Sequence, residues 1–350
     1  MTPYRTSVIA SDFHPDTQAF FRGRRVLALG GAGFIGSHVV EQLLALGAKP
    51  VVLSRQARPN FLTHLDREVE LVEGDITDAD SLARAIKGAS VVLHMAARVA
   101  GIEWNATHPA SMFTENLALF TPALEAAAHS KVDRFLVTSS ACVYPRHCSI
   151  PTPEEEGFKD SPEPTNAGYG WSKRMEEFLG AATAREYGLS VAIARPYNAY
   201  GPRDNFHPAT SHVLAALIRK ACLAEGDTFD VWGDGTHSRS FLYVDDFARG
   251  ILEVAARYPQ ADAVNIGADE ETTIANAANL IAKHVGAVRG RKLLPKFDPS
   301  QITGQPRRRC DVSKAIALLG YRAKVSLDEG LKNTIHWFLE NADRPGHSHA

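Results

Sequence analysis

From residue 24 the chain alternates between short apolar runs and longer segments with helical spacing. "RRVLALGGAGFIGSHVVEQLLALGA" passes from an apolar run to apolar positions three and four apart, with glycines at the change. That pattern predicts a strand, a tight turn and a helix. Further apolar runs follow in "PVVLS", "VELVEGD", "SVVLHMAA", "RFLVTSS" and "LSVAIARP". Helix-like segments such as "DADSLARAIKG" and "ALFTPALEAAAHS" separate them. Strands covered on both faces read as continuous apolar runs, so the alternation predicts an α/β fold with a doubly wound parallel sheet and crossover helices. After about residue 200 the alternation loosens and glycine and proline rise. The sheet domain is therefore expected over 23–200, with later segments at about 236–270 returning to it. A smaller C-terminal region over 201–340 is expected to close on the carboxyl edge, fed by excursions around 197–243 and 290–312. Residues 1–22 are expected to form a loosely attached arm. Residues 341–350 read as a solvated tail, in which His347 and His349 are not metal ligands.

Composition narrows the function classes. The 350 residues are 45% hydrophobic and 22% charged, with a formal net charge of -2 and both signs spread along the chain. No basic face advertises nucleic acid or an anionic membrane. The four cysteines, Cys142, Cys148, Cys222 and Cys310, show no CxxC spacing and no disulfide framework, which favours a reducing, cytoplasmic setting. The N-terminus carries acids without a signal-peptide core, and no apolar run approaches membrane-spanning length.

The glycines of the first turn, Gly30, Gly33 and Gly36, form GxxGxxG between a strand and a helix opened by Phe34 and Ile35. Such a turn lets a pyrophosphate approach the backbone and the unpaired N–H groups of the helix start, so the sheet domain is read as a Rossmann dinucleotide-binding domain. An NAD-binder usually ends its second strand with a carboxylate. Here the strand ends "VVLSRQAR", with Ser54 and Arg55, and an arginine there meets a 2′-phosphate. NADP(H) is favoured and NAD(H) is the alternative. Asp75 and Ile76 in "EGDIT" lie where a strand end reaches an adenine, although Asp75 equally suits a helix-capping region. Ala96 and Ala97, after "LHM", complete the expected cofactor lining.

Tyr169 and Lys173 in "YGWSK" are four residues apart in a helical segment, so both project from one face. A nearby ammonium is expected to lower the phenol pKa and favour phenolate. Ser140, at a preceding strand end, is positioned to bind the same substrate oxygen. Cys142 lies two residues beyond, and on sequence alone it is either a buried core thiol or an acid/base group.

Together "GGAGFIG", "LHMAA", "SSACVYP", "YGWSK", "RPYNAYGPRDNF" and "WGDGTHSRSFLYVDD" resemble the extended short-chain dehydrogenase/reductase superfamily, in its nucleotide-sugar branch, over roughly residues 24–340. Within it, "AARVAGIEWNATHPA", "EPTNAGYGWSK" and "YGPRDNFHPATSHVLAALIRKA" resemble the GDP-L-fucose synthase family. "SSACVYP" and "WGDGTHSRSF" also lean to the GDP-mannose 3,5-epimerase family. The resemblance implies that Ser140, Tyr169 and Lys173 handle hydride and proton exchange at the sugar C4 oxygen. It implies that Cys142 and His212 are the acid/base pair that inverts C3 and C5; the mannose epimerases use a lysine in the second position, which this chain lacks. It also implies a nucleoside-diphosphate-sugar site containing Asn198, Lys220, Trp232, Arg239 and Arg307 or Arg308, and a homodimer. His207 reads as a loop residue or a substrate contact, and zinc on His207 and His212 is disfavoured because no further ligands cluster there. The leading expectation is an NADP(H)-using 3,5-epimerase and 4-reductase on an NDP, preferentially GDP, 4-keto-hexose. The runner-up is a redox-neutral 3,5-epimerase with bound NAD. A non-catalytic dinucleotide-sensing module is the third, and it sits poorly with an intact Ser-Tyr-Lys set.

Overall fold

The computed structural model describes residues 5–57, 59–300 and 304–341. His347 and His349 lie outside them. Six strands, β1 (Arg25–Leu29), β2 (Lys49–Ser54), β3 (Glu70–Glu73), β4 (Val91–His94), β5 (Arg134–Thr138) and β6 (Val191–Pro196), join Ala263–Ile266 in one seven-stranded sheet. Its order is Ala263–Ile266, β6, β5, β4, β1, β2, β3, with every neighbouring pair parallel. The chain reverses direction across the sheet between β1 and β4, which opens a crevice at their carboxyl ends.

Alternate side chains of each strand feed opposite cores. Val26, Val91, Leu93, Leu136 and Ala194 pack with Val39 and Leu43 of α2 (Phe34–Ala45) and with Ala248 and Ile251 of the helix Val244–Arg257. Leu27, Leu29, Val92, Phe135 and Val137 pack on the other face with Leu82 of α3 (Ala79–Ile86) and with Phe120 and Leu124 of the helix Pro109–His129. The continuous apolar runs seen in the sequence are therefore strands buried on both sides.

One expectation is corrected. Residues 5–22 are not a loose arm. They carry α1 (Pro15–Phe21), whose Phe21 is fully buried and which packs, with Phe13, in the α2-side core. Polar ties add to this: Thr17 donates to Glu253 at 2.6 Å, and the His14 backbone N–H donates to the same carboxylate at 2.9 Å.

Beyond residue 200 a third core forms between α-helices Val213–Leu223, Ile274–Arg289 and Leu327–Asn341, with Phe229 and Val231 from Thr228–Trp232. Short strands Ser238–Arg239, Thr272–Thr273 and Arg307–Arg308 form a separate three-stranded sheet.

Candidate functional site

At the first turn Gly30 has φ +83, and a Cβ there would sit 2.7 Å from the Ala96 backbone nitrogen. A Cβ on Gly36 would meet the Gly30 carbonyl oxygen at 2.0 Å. Only glycine allows β1, the end of β4 and the start of α2 to approach this closely. Gly33 caps α2, so the N–H groups of Phe34, Ile35 and Gly36 open the helix without intrahelical acceptors. This cradle, which a side chain would fill, fits a dinucleotide pyrophosphate. At the end of β2, Ser54 is buried and accepts from Gln56 N–H at 3.1 Å, while Arg55 is exposed. Asp75 accepts from both the N–H and the hydroxyl of Thr77, which lowers its pKa; the neighbouring Arg55 charge adds to this. The N-cap of α3 is Asp78 instead. Ile76 is buried in the α3-side core, and Ala96 packs partly against it.

The catalytic candidates meet where β5 ends. Ser140 caps a 3-10 turn, Ala141–Val143, and accepts from Cys142 N–H at 3.1 Å. The helix Ala167–Tyr187 passes directly over that turn: a Cβ on Gly170 would meet the Cys142 carbonyl oxygen at 2.4 Å. The glycine of "YGWSK" is therefore what brings Tyr169 against Ser140 and Cys142. The Ser140 side chain is hydrogen-bonded to the Tyr169 phenol. One turn on, Lys173 is buried, donating to the Thr138 carbonyl at 3.0 Å and to Glu176 Oε2 at 2.8 Å.

The phenolate expectation is corrected here. Burial drives the Tyr169 pKa well above its usual value, with the proximity of Cys142 and Glu176 adding to the rise and the Ser140 hydrogen bond opposing it. Lys173 is 5.6 Å from the ring centroid, but its charge is already shared with Glu176. The phenol is held as a proton donor. The sequence pattern did not single out Glu176, although Tyr169, Lys173 and Glu176 follow one helical stripe at i, i+4 and i+7.

Cys142 has a second neighbour from far along the chain. Arg308 Nη1 lies 3.9 Å from its sulfur, and Arg308 Nε donates to Gln305 at 3.1 Å. Arg239 is close enough to Arg308 that burial and that like charge together lower its pKa to about 10, with Glu163 opposing. Among the described residues Arg239 has only backbone acceptors, Ser238 and Pro306. Two neighbouring guanidiniums with so little compensation suit a diphosphate. Arg307 is directed differently: it is exposed and forms a two-pronged pair with Glu271, both contacts at 2.7 Å. Lys220 lies 5.0 Å over the ring of Trp232, which is 49% exposed. Asn198 donates to the Ser240 carbonyl at 2.9 Å, beside the parallel pairing of Ala199–Tyr200 with Leu242–Tyr243.

His212 caps the helix Val213–Leu223. Its side chain is exposed, and the protein around it lowers its pKa from the ordinary value by desolvation. No hydrogen bond joins it to the Ser140–Tyr169 group among the described residues. The segment before it abuts the loop after β4, because a Cβ on Gly101 would sit 3.4 Å from the Ser211 carbonyl. His207 accepts from the Ala209 N–H at 3.3 Å and acts within its own loop. Among the described residues no cluster of three metal-ligating side chains occurs, and no helix is long and apolar enough to cross a membrane.

Comparison with known proteins matches residues 26–267 to the model of the NAD dependent epimerase/dehydratase family. GDP-L-fucose synthase of Escherichia coli strain K12 is 34% identical over 334 residues, spanning 92% of this chain and 98% of that protein. GDP-L-fucose synthase 1 of Arabidopsis thaliana is 35% identical over 323 residues, spanning 91% and 94%. Among solved structures, a GDP-L-fucose synthetase from Naegleria fowleri bound to NADP superposes with a TM-score of 0.75 at 25% identity, covering 91% of this chain and 94% of that one.

Proposed function

Because the chain belongs to the NAD dependent epimerase/dehydratase family, we propose that it is an NADP(H)-dependent 3,5-epimerase and 4-reductase acting on a GDP-4-keto-6-deoxyhexose. The observation that carries this reading is the convergence of Ser140, Cys142, Tyr169 and Lys173 at the carboxyl end of β5, with Arg308 on the thiol. A reductase alone has no use for a thiol there. The glycine turn and the N-terminus of α2 would hold the dinucleotide pyrophosphate, and exposed Arg55 would meet the 2′-phosphate, in keeping with the NADP-bound relative. Bound NADPH supplies the hydride.

The protein's own groups do the rest. Tyr169 and Ser140 bind the C4 oxygen and stabilise negative charge on it, which makes the hydrogens at C3 and C5 removable. Cys142 and His212 exchange protons with those carbons from opposite faces of the ring. Tyr169 then delivers its proton to the C4 oxygen as the ketone is reduced. Arg239, Arg308 and Lys220 bind the diphosphate, and Trp232 offers a ring face to the base. Free cysteines and NADPH use suit a reducing, cytoplasmic setting.

A second copy fits the face made by the helices Pro109–His129 and Ala167–Tyr187. There Phe178 is 56% exposed and Trp171 39% exposed, beside an apolar trough lined by Phe113 and Met175. Mass spectrometry of co-purifying nucleotides, with NADPH and NADH titrations, tests the cofactor half of the proposal. NADPH preference supports it. Tightly held NAD with no NADPH oxidation on any GDP-4-keto sugar would return the chain to a redox-neutral epimerase.

A further inference from the structure

Beneath Tyr169 lies a carboxylate that the reaction just described does not use. Glu176 has no exposed surface, and Lys173 is 2% exposed. Their ion pair, 2.8 Å long, is one helical turn below the phenol. The other carboxylate oxygen, Oε1, has no hydrogen-bond partner among the described residues. A lysine has three donors. Here one goes to Thr138 and one to Glu176, so one remains for the cofactor or the phenol. Stability does not account for this arrangement, since a buried ion pair is often replaceable by apolar side chains without loss, and an unpaired buried oxygen carries its full desolvation cost.

We propose that Glu176 is a positioning residue for the Tyr169–Lys173 pair: ionised, it takes up the Lys173 charge and the phenol holds its proton; protonated, it releases that charge toward the phenol and cofactor. One proton on Glu176 thus sets the strength of the proton donor. This rests on the reading of Tyr169 as that donor.

The surroundings fit such a control point. Burial raises the Glu176 pKa to about 7, with Lys173 lowering it and Glu177 raising it. The other charged groups around the pair have partners of their own or lie at the surface, and the Cys142 thiol is the remaining titratable neighbour. Glu177, on the same helix, is clamped by Arg195 of β6 at 2.7 Å through both oxygens and accepts from Ser139. His94, at the end of β4, is neutral, because burial and the Lys173 charge lower its pKa to about 3. Cys142 faces Tyr169 from the turn after β5. On the helix Pro109–His129, which packs alongside, Glu115 pairs with Arg98 at 3.7 Å and Glu125 is exposed, so both point to solvent. Glu176 is the carboxylate near Tyr169 left to change charge around neutral pH.

The test is an NMR titration of the NADP+-loaded protein carrying isotope-labelled glutamate and tyrosine, from about pH 3.5 to about pH 9, which brackets an ordinary glutamate carboxyl at about 4.3 and a raised one. One glutamate carboxyl resonance is expected to titrate near neutrality and to be absent in Glu176→Gln. The Tyr169 ring resonance, identified by its loss in Tyr169→Phe, is expected to move with the same midpoint. In single turnovers with a GDP-4-keto-6-deoxyhexose, hydride transfer should slow as pH rises through that midpoint, and this limb should vanish in Glu176→Gln. The titration needs no sugar, so a wrong substrate would leave it intact while removing the turnover signal. A Tyr169 resonance that ignores the titration, or a Glu176 midpoint in the ordinary carboxylate range, overturns the proposal. So does a Glu176→Gln protein with a lower melting temperature and an unchanged pH profile. If Glu176→Gln does not fold, the paired resonances of the wild-type protein decide.

Discussion

Removing the Tyr169 hydroxyl deletes a proton donor while leaving the ring beside Lys173. Tyr169→Phe should therefore cut turnover by about 10²–10⁴-fold, the range for a general acid, with cofactor affinity nearly unchanged. Activity within tenfold of wild type, as an order of magnitude, would contradict the role. Arg55→Asp should reverse the preference from NADPH to NADH in a binding titration, because it puts a carboxylate in the proposed 2′-phosphate site. His94 gives a stability prediction with a definite sign. Its folded pKa, about 3, is below the ordinary 6.5, so the native protein binds fewer protons than the unfolded chain between those values. Its contribution is complete above pH 6.5 and is lost as pH falls toward 3. Acid unfolding of His94→Gln, followed by circular dichroism, should be less steep in that window. At this scale the sequence was readable where chemistry followed a fixed spacing, as in Tyr169 and Lys173. It was silent on Arg308 and Cys142, 166 positions apart, because nothing local in "PRRRCD" says which arginine turns inward. Glu176 was within reach of the helical period, but a glutamate on a helix is ordinarily a surface residue.

The strands and crossover helices were legible because apolar runs buried on both faces leave an unambiguous trace. The element that was misread is α1. Its seven residues are too few to show a helical period, and its anchor, Glu253, is 236 positions from Thr17. Phe21→Ala should cost about 3–5 kcal/mol in chemical denaturation, the usual range for emptying a buried phenylalanine site. A loose arm would lose almost nothing. At the turn carrying Cys142, Gly170→Ala tests element packing directly. The added methyl must displace the turn or the helix, so turnover should fall with the cofactor-binding cradle intact, and unchanged turnover would mean that the helix and turn have slack.

Across the whole molecule, the sheet contributes the glycine cradle and the Ser-Tyr-Lys group, while the C-terminal lobe brings Arg308 to Cys142 with Arg239 beside it, and Lys220 and His212 complete the proposed site. The apolar face on the helices Pro109–His129 and Ala167–Tyr187 lies apart from the glycine turn. In analytical ultracentrifugation the wild type is expected to sediment as a dimer and Phe178→Glu as a monomer. The joint claim about both lobes, that one site both epimerises and reduces, is tested most directly by incubating the protein with a GDP-4-keto-6-deoxyhexose and NADPH in D2O and reading the product by NMR. The expected product carries deuterium at C3 and C5 with both centres inverted and a reduced C4, and Cys142→Ser loses the deuterium at the centre it serves. A reduced product with no deuterium at either carbon would contradict the account and leave Cys142 a core thiol in a simple reductase.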